Sequence, residues 1–283
     1  MKIGVLSESF KLPIDEVIKK SVELGLHGIQ GYSAFGELSP QELTAADRKQ
    51  LLKNMYDNKL IFSALCGDLG GHGFQLADEN EDKIARSCEI VDLAADLEAP
   101  VVTTHIGVVP TNTLSETYNI MQRACYQLGN YAKSRGVVFG IETGPESPKN
   151  LKFFLDSIGS NGLGVNYDPA NLIMVQNIDP VKGIYTLSDY IVHTHAKDGV
   201  HLKDCNPVEV YDAFARGGID GFDFGVLFNE TPIGDGSVKW PAYIKALRNI
   251  KYNGFLTIER EVGKNPADDI AAAANYLQQL LLS

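Results

Sequence analysis

Four side chains able to bind a metal fall at the ends of four successive β-rich runs. They are Glu142 in VVFGIET (137–143), Asp168 in LGVNYD (163–168), His195 in YIVHTHA (190–196) and Glu259 in GFLTIE (254–259). Turn-forming sequence follows, as in Glu142-Thr143-Gly144-Pro145 and Asp168-Pro169-Ala170-Asn171. One acid at one strand end is ordinarily a solvated loop residue. Three carboxylates brought together repel one another unless a cation sits among them, so the set predicts one divalent metal ion. Oxygen-rich ligation with one imidazole suits Mn²⁺, Mg²⁺ or Co²⁺, and Zn²⁺ also accepts it.

Strand alternation supplies a test. Residues two positions apart share a face, so if the four candidates face inward, Gly140, Asn166, His193 and Thr257 do too. Those residues are small or polar and suited to supporting ligands from below. The opposite parity gives Ile141, Tyr167, Thr194 and Ile258, three of them bulky groups of the kind that pack against outer helices. Of the two imidazoles in HTH, His195 lies nearer the strand end and is the expected ligand, with His193 beneath it.

The elements that must position these residues alternate along the chain. Strands are predicted at 3–7, 28–32, 60–66, 101–107, 137–143, 163–168, 190–196 and 254–259. Helices are predicted at 13–25, 39–58, 81–99, 114–136, from Ser147–Pro148 onward and at 266–282. Ser39 reads as an N-cap with Pro40 at the first helical position, and Gly25 and Gly136 as stops. Eight strands alternating with helices, without a linker, predict a single (β/α)8 TIM barrel over residues 1–283. Strand-end residues of such a barrel converge on one mouth. A doubly wound sheet would want a Gly-rich turn after the first strand, and SESFKLP is not one. Segment 198–240, rich in Gly and Asp, reads as the longest irregular stretch, the kind of loop that tends to carry function.

Bulk properties narrow the function classes. The 283 residues carry a formal charge of −11, which disfavours polyanion binding, and no dense Lys/Arg cluster offsets it. No uninterrupted apolar run is long enough to span a bilayer, and MKIGVLSESF lacks the pattern of a secretory signal. The chain reads as cytoplasmic, binding neither nucleic acid nor membrane, with a homo-oligomer left open. The four cysteines (Cys66, Cys88, Cys125, Cys205) are scattered without a CxxC pair and read as reduced thiols.

The stretch IGDGSVKWPAYIKALRNIKYNGFLTIERE resembles the signature of the xylose isomerase-like barrel family of sugar isomerases and epimerases. IET at 141–143, YDPAN at 167–171 and HTHAKD at 193–198 match its other blocks in order and spacing. The resemblance implies a barrel in which Glu142, Asp168, His195 and Glu259 hold one cation. It also implies that Glu142 and Glu259 face each other across a carbohydrate as acid and base, acting on a metal-stabilised enediolate. The sequence departs from the ketose 3-epimerases of that family. Asn171, Pro148 and His201 stand where those enzymes carry a His, a Glu and an Arg, and the DxxN and HxKD forms look closer to sugar-phosphate epimerases and inosose dehydratases.

Lys197, His105, Asn171, Cys66 and His72 are candidate substrate contacts, weighed against a paired lysine, structural histidines and a buried thiol. Trp240 is weighed as a cover for the site or as core, and Arg260 and Glu261 as groups reaching the mouth. A metal-dependent isomerase or epimerase of a sugar, keto-sugar or sugar phosphate leads. A dehydratase or lyase on the same scaffold comes second. An endonuclease at abasic sites would need several metals and further His ligands, whereas three of the six His (His27, His72, His201) lie away from predicted strand ends and the charge is −11. A non-catalytic sugar-binding protein would keep its function after Glu142→Gln and Glu259→Gln.

Overall fold

A computed structural model describes residues 1–219 and 222–282. Eight parallel strands close into a barrel: β1 (Lys2–Leu6), β2 (Gly28–Tyr32), β3 (Ile61–Cys66), β4 (Val101–Thr104), β5 (Val138–Glu142), β6 (Leu163–Tyr167), β7 (Ile191–Ala196) and, after an inserted hairpin of β8 (Asp198–His201) and β9 (Phe228–Thr231), β10 (Phe255–Ile258). Around the barrel the order is β1-β10-β7-β6-β5-β4-β3-β2, so β10 closes on β1.

Helices α1 (Ile14–Glu23), α2 (Ala45–Asp57), α3 (Asn80–Asp96), α4 (Glu116–Ser134) and α5 (Pro148–Ile158) follow the first five strands. Two short helices, α6 (Pro169–Gln176) and α7 (Pro180–Thr186), link β6 to β7. The set ends with α8 (Pro207–Ala215) inside the insertion, α9 (Trp240–Asn249) before β10 and α10 (Pro266–Leu282). The main core lies between strands and helices. Ile141, Tyr167, Thr194 and Ile258 are all buried, as strand parity requires. No helix among the described residues is long and apolar enough to cross a membrane.

Two expected boundaries move. Helix α2 starts at Ala45 because Thr44 and Asp47 form a reciprocal capping box there. Strand β4 stops at Thr104, before the positive-φ Gly107. The larger correction concerns segment 198–240. It holds an antiparallel hairpin, Asp198 opposite Thr231 through His201 opposite Phe228, with α8 between the two strands.

Asp198 ties that insertion to the barrel. Its Oδ1 accepts the backbone N–H of Gly199 (2.9 Å) and Val238 (3.0 Å), and its Oδ2 accepts Gly234 N–H (3.0 Å) and the Trp240 indole (2.8 Å). Trp240 is therefore core, 1 % exposed, and does not cover the mouth.

Candidate metal centre

Each of the four strand-end residues is aimed by its own element. Glu142 ends β5, and its oxygens accept the amide of Asn166 (Oε2, 3.1 Å) and of Asn171 (Oε1, 3.1 Å). Asp168 is the N-cap of α6, so its Oδ1 accepts Asn171 N–H at 2.8 Å and its Oδ2 is left facing His195. Glu259 lies one residue past β10.

His195 Nδ1 lies 3.1 Å from Glu259 Oε2 and 3.4 Å from both Glu142 Oε1 and Asp168 Oδ2. One ligand atom from each of the four residues lies within 4.8 Å of all the others, and all four residues are buried. Asp168 Oδ2, His195 Nδ1 and Glu259 Oε2 have no hydrogen-bond partner. Buried polar atoms left this way are costly unless something binds them. A hard divalent cation fits three carboxylates and an imidazole, so this group could hold one.

A hydrogen-bond relay runs across the barrel beneath the cluster. Thr257 Oγ1 donates to His193 Nε2 (2.9 Å), His193 Nδ1 donates to Asn166 Oδ1 (2.8 Å), and Asn166 Nδ2 donates to Glu142. On the far wall Gln30 Oε1 lies 3.0 Å from His195 Nε2, while Gln30 Nε2 donates to Thr103 Oγ1 at 2.7 Å. Donation from His195 Nε2 to Gln30 leaves Nδ1 to face the carboxylates, where a bound cation would take the place of the Nδ1 proton. Asn166, His193 and Thr257 thus sit where parity expects them. Gln30 and Thr103 carry no strand-end signal in the sequence. The one hint is an amide at the centre of the otherwise uncharged strand GIQGY.

Charge follows from this geometry. Burial resists ionisation of Glu142 and Glu259, but His195 with His105 outweighs it at Glu142, and His195 with Lys197 at Glu259, so both carboxyls stay below the usual range. Burial raises Asp168. His195 rises well above the ordinary imidazole value, because Glu259 and Glu142 overcome its burial. His193, buried beside His195, falls well below and remains neutral.

Two of the four cluster residues, Glu142 and Glu259, line a cavity of about 600 Å³. Lys197, His105 and Asn171 line it; Cys66 and His72 are not among the lining residues. Lys197 Nζ lies 3.1 Å from Glu259 Oε2 without hydrogen-bond alignment, 3.9 Å from Glu230 Oε2, and donates to Glu261. Here the substrate-facing lysine and the paired lysine are the same residue. His105 is fixed by Asp68 Oδ2 at 3.0 Å and lies 3.7 Å from Glu142 Oε1. Burial opposes its charge, but Glu142 and Asp68 carry its pKa to about 10.

His72 instead meets Asp212, on α8, at 2.8 Å, and burial with nearby Asp68 holds the Cys66 thiol neutral. Glu261 reaches the cavity, whereas Arg260 is committed to Glu230 and Asp269. His201 contacts the Met174 carbonyl, and Pro148 opens α5. Tyr211, from α8, closes over Gly144, where an added Cβ would lie 2.0 Å from its hydroxyl.

The sequence profile of the family described as xylose isomerase-like TIM barrel matches residues 18–280. Among solved structures, the chain resembles a xylose isomerase domain protein from Planctomyces limnophilus, with TM-score 0.80 and 24% identity over 99% of this chain and 96% of that one. A probable 3-DHS dehydratase, AsbF, from Bacillus anthracis superposes with TM-score 0.76 and 17% identity over 98% and 99%. A D-psicose 3-epimerase from Clostridium cellulolyticum H10, solved with D-tagatose, superposes with TM-score 0.73 and 14% identity over 99% of each chain.

Proposed function

We propose, from the premise that this chain belongs to the xylose isomerase-like TIM barrel family, that it is a divalent-metal-dependent isomerase or epimerase of a keto-sugar or related carbohydrate. The observation that carries the reading is the convergence of Glu142, Asp168, His195 and Glu259, three of whose atoms lack a hydrogen-bond partner, beside a cavity of about 600 Å³ that Glu142 and Glu259 line. The reading takes residues 1–283 as one barrel domain. The four residues would hold Mn²⁺, Mg²⁺, Co²⁺ or Zn²⁺. A bound divalent cation polarises a carbonyl and the hydroxyl beside it, and so acidifies the C–H between them.

The protein's own groups do the rest. Glu142 and Glu259, carboxylates each with an oxygen in the cluster, would take a proton from carbon and return it. Return to the same carbon from the other side gives epimerisation, and return to the neighbouring carbon gives isomerisation. Asn166 and Asn171 fix the Glu142 carboxylate, and Lys197 fixes that of Glu259. Substrate hydroxyls would meet Asn171, His105 and Lys197 at the cavity wall.

Dehydration is the second reading, and the placement of His105 favours it. Its imidazole lines the cavity, oriented by Asp68, where a hydroxyl leaving from the carbon next to the acidified one would need a proton. The D-psicose 3-epimerase and the probable dehydratase share this barrel, so the scaffold is compatible with either outcome.

Incubation of the metal-loaded protein with a keto-sugar panel tests both readings. The expected result is loss of the carbon-bound proton to solvent deuterium with stereochemical change and no loss of water. Water loss that Glu142→Gln abolishes would favour the dehydratase. Turnover that survives both Glu142→Gln and Glu259→Gln would overturn the assignment.

A further inference from the structure

The cavity has two unlike walls. Its floor carries Glu142, Asn171, Lys197 and Glu259, whereas its outer side is aromatic and aliphatic. Four rings from the insertion form a continuous band. Tyr211 and Phe214 come from α8, Phe224 from a short 3-10 turn (Phe224–Val226), and Phe228 from β9. Phe214 and Phe224 stack with centroids 4.2 Å apart and planes 7° from parallel. Tyr211 meets Phe214 at 6.0 Å, Phe228 meets Phe224 at 6.1 Å, and the band reaches the polar floor where Tyr211 meets His105 at 5.9 Å. Although stacked, Phe214 remains 49 % exposed, and Val262 at the cavity edge is 50 % exposed. An apolar surface of this kind, open and lining a cavity, marks a place for an apolar ligand group.

The lining charge disfavours a phosphorylated ligand, since its two cations, Lys197 and His105, are both already paired with carboxylates. Carboxylates of Asp68, Glu142, Glu230, Glu259 and Glu261 line the cavity, and Lys197 is the only Lys or Arg among the described lining residues. That lysine is already shared among Glu259, Glu230 and Glu261. Phosphate recognition calls for uncommitted Arg or Lys donors. The volume, about 600 Å³, falls within the roughly 300–1,000 Å³ of pockets that hold drug-sized ligands.

Resting on the reading above, the structure assigns the substrate class: we propose a non-phosphorylated keto-glycoside, its sugar on the acidic floor and its apolar aglycone against Phe214, Phe224 and Phe228. The chemistry then places the carbonyl. An aglycone locks the anomeric carbon as an acetal, so the carbonyl must stand at another ring position. Such a substrate is supplied by oxidation of a ring secondary alcohol, in which a dehydrogenase removes two electrons and two protons and passes them as hydride and proton to its own acceptor.

The test compares methyl and phenyl 3-keto-β-D-glucopyranoside, D-fructose and D-fructose 6-phosphate. Mg²⁺-loaded protein in D₂O is followed by proton NMR at the carbons beside the carbonyl. The phenyl glycoside is expected to exchange with kcat/KM about tenfold above the methyl glycoside, as burial of one aromatic ring implies. Phe214→Ala and, independently, Phe224→Ala should bring that ratio close to one, and fructose 6-phosphate should be no better than fructose. Equal use of the two glycosides by wild-type protein, or preference for the phosphate, overturns the substrate class while leaving the reaction type standing. If no keto-sugar exchanges, the reaction reading falls. Saturation transfer from protein to the ring of phenyl β-D-glucopyranoside then decides the pocket assignment alone. Transfer that weakens in Phe214→Ala supports it, and none in wild-type protein sinks it.

Discussion

Glu142 accepts two amide hydrogens, and His195 faces a third amide, that of Gln30, across the lumen. Such contacts set ligand orientation and tautomer, and losing one typically weakens a metal site about 10–100-fold. Gln30→Leu and Asn166→Ala are each expected to weaken Mn²⁺ binding by about that factor, read by titration calorimetry on folded protein; unchanged affinity in both would remove the relay from the site's design. Glu259→Gln should cut turnover by about 10²–10⁴-fold, the usual worth of a positioned acid–base group. Glu146 offers a separate check on electrostatics. It is buried, both its oxygens lack a partner, and burial pushes it from 4.5 to about 8. The fold thus prefers the neutral acid, which costs nothing below the ordinary value and most above about 8. Glu146→Gln should therefore be close to neutral for stability at pH 4.5 and increasingly stabilising up to pH 8, in urea unfolding. A gain that shrank with pH would contradict the sign.

At the scale of elements, the insertion between β7 and α9 depends on Asp198, which accepts four N–H donors from Gly199, Gly234, Val238 and Trp240. Asp198→Ala strands those buried donors and should cost about 3 kcal/mol. Amide exchange should speed up first in β8 and β9, and uniform loosening of the whole barrel would argue against a local tie. This is also where sequence reading had least purchase. The barrel strands show themselves because each is a compact apolar run closed by turn residues, and period two sorts Asn166, His193 and Thr257 from Tyr167 and Thr194. The β8–β9 pair does not, since its partners lie far apart in the chain and each strand is only four residues long. Cys66 ends its strand, as Glu142 does, and His72 lies on the loop that follows, yet neither lines the cavity. Position along a strand does not specify the last rotation of a side chain, and His72 is captured by Asp212 of α8.

The whole molecule is held closed at the site. The four cluster residues come from or just beyond β5, β6, β7 and β10, which are neighbours in the barrel. A cation bound there would cross-link four elements that are far apart in sequence and would favour the folded state by mass action. At a hundred times Kd the gain is about 2.7 kcal/mol, or a melting shift of ~5–10 °C for a chain of this size. Melting in Mn²⁺ against EDTA measures it, and coincident curves would mean that no cation binds the native state.

The contiguity of those strands has a wider consequence. The remaining arc, β4-β3-β2-β1, contributes no cluster residue; from it Gln30 and Thr103 brace the site, and His105, just past β4, lines the cavity. All four cluster residues lie after residue 137, whereas Gln30, Thr103 and His105 lie before it. A gene segment encoding the first stretch could be exchanged between relatives, provided Gln30 and Thr103 travel with it, without importing or losing a ligand. Such an exchange would vary the cavity wall around Asp68 and His105, while the four cluster residues and the aromatic band stay together in the second stretch.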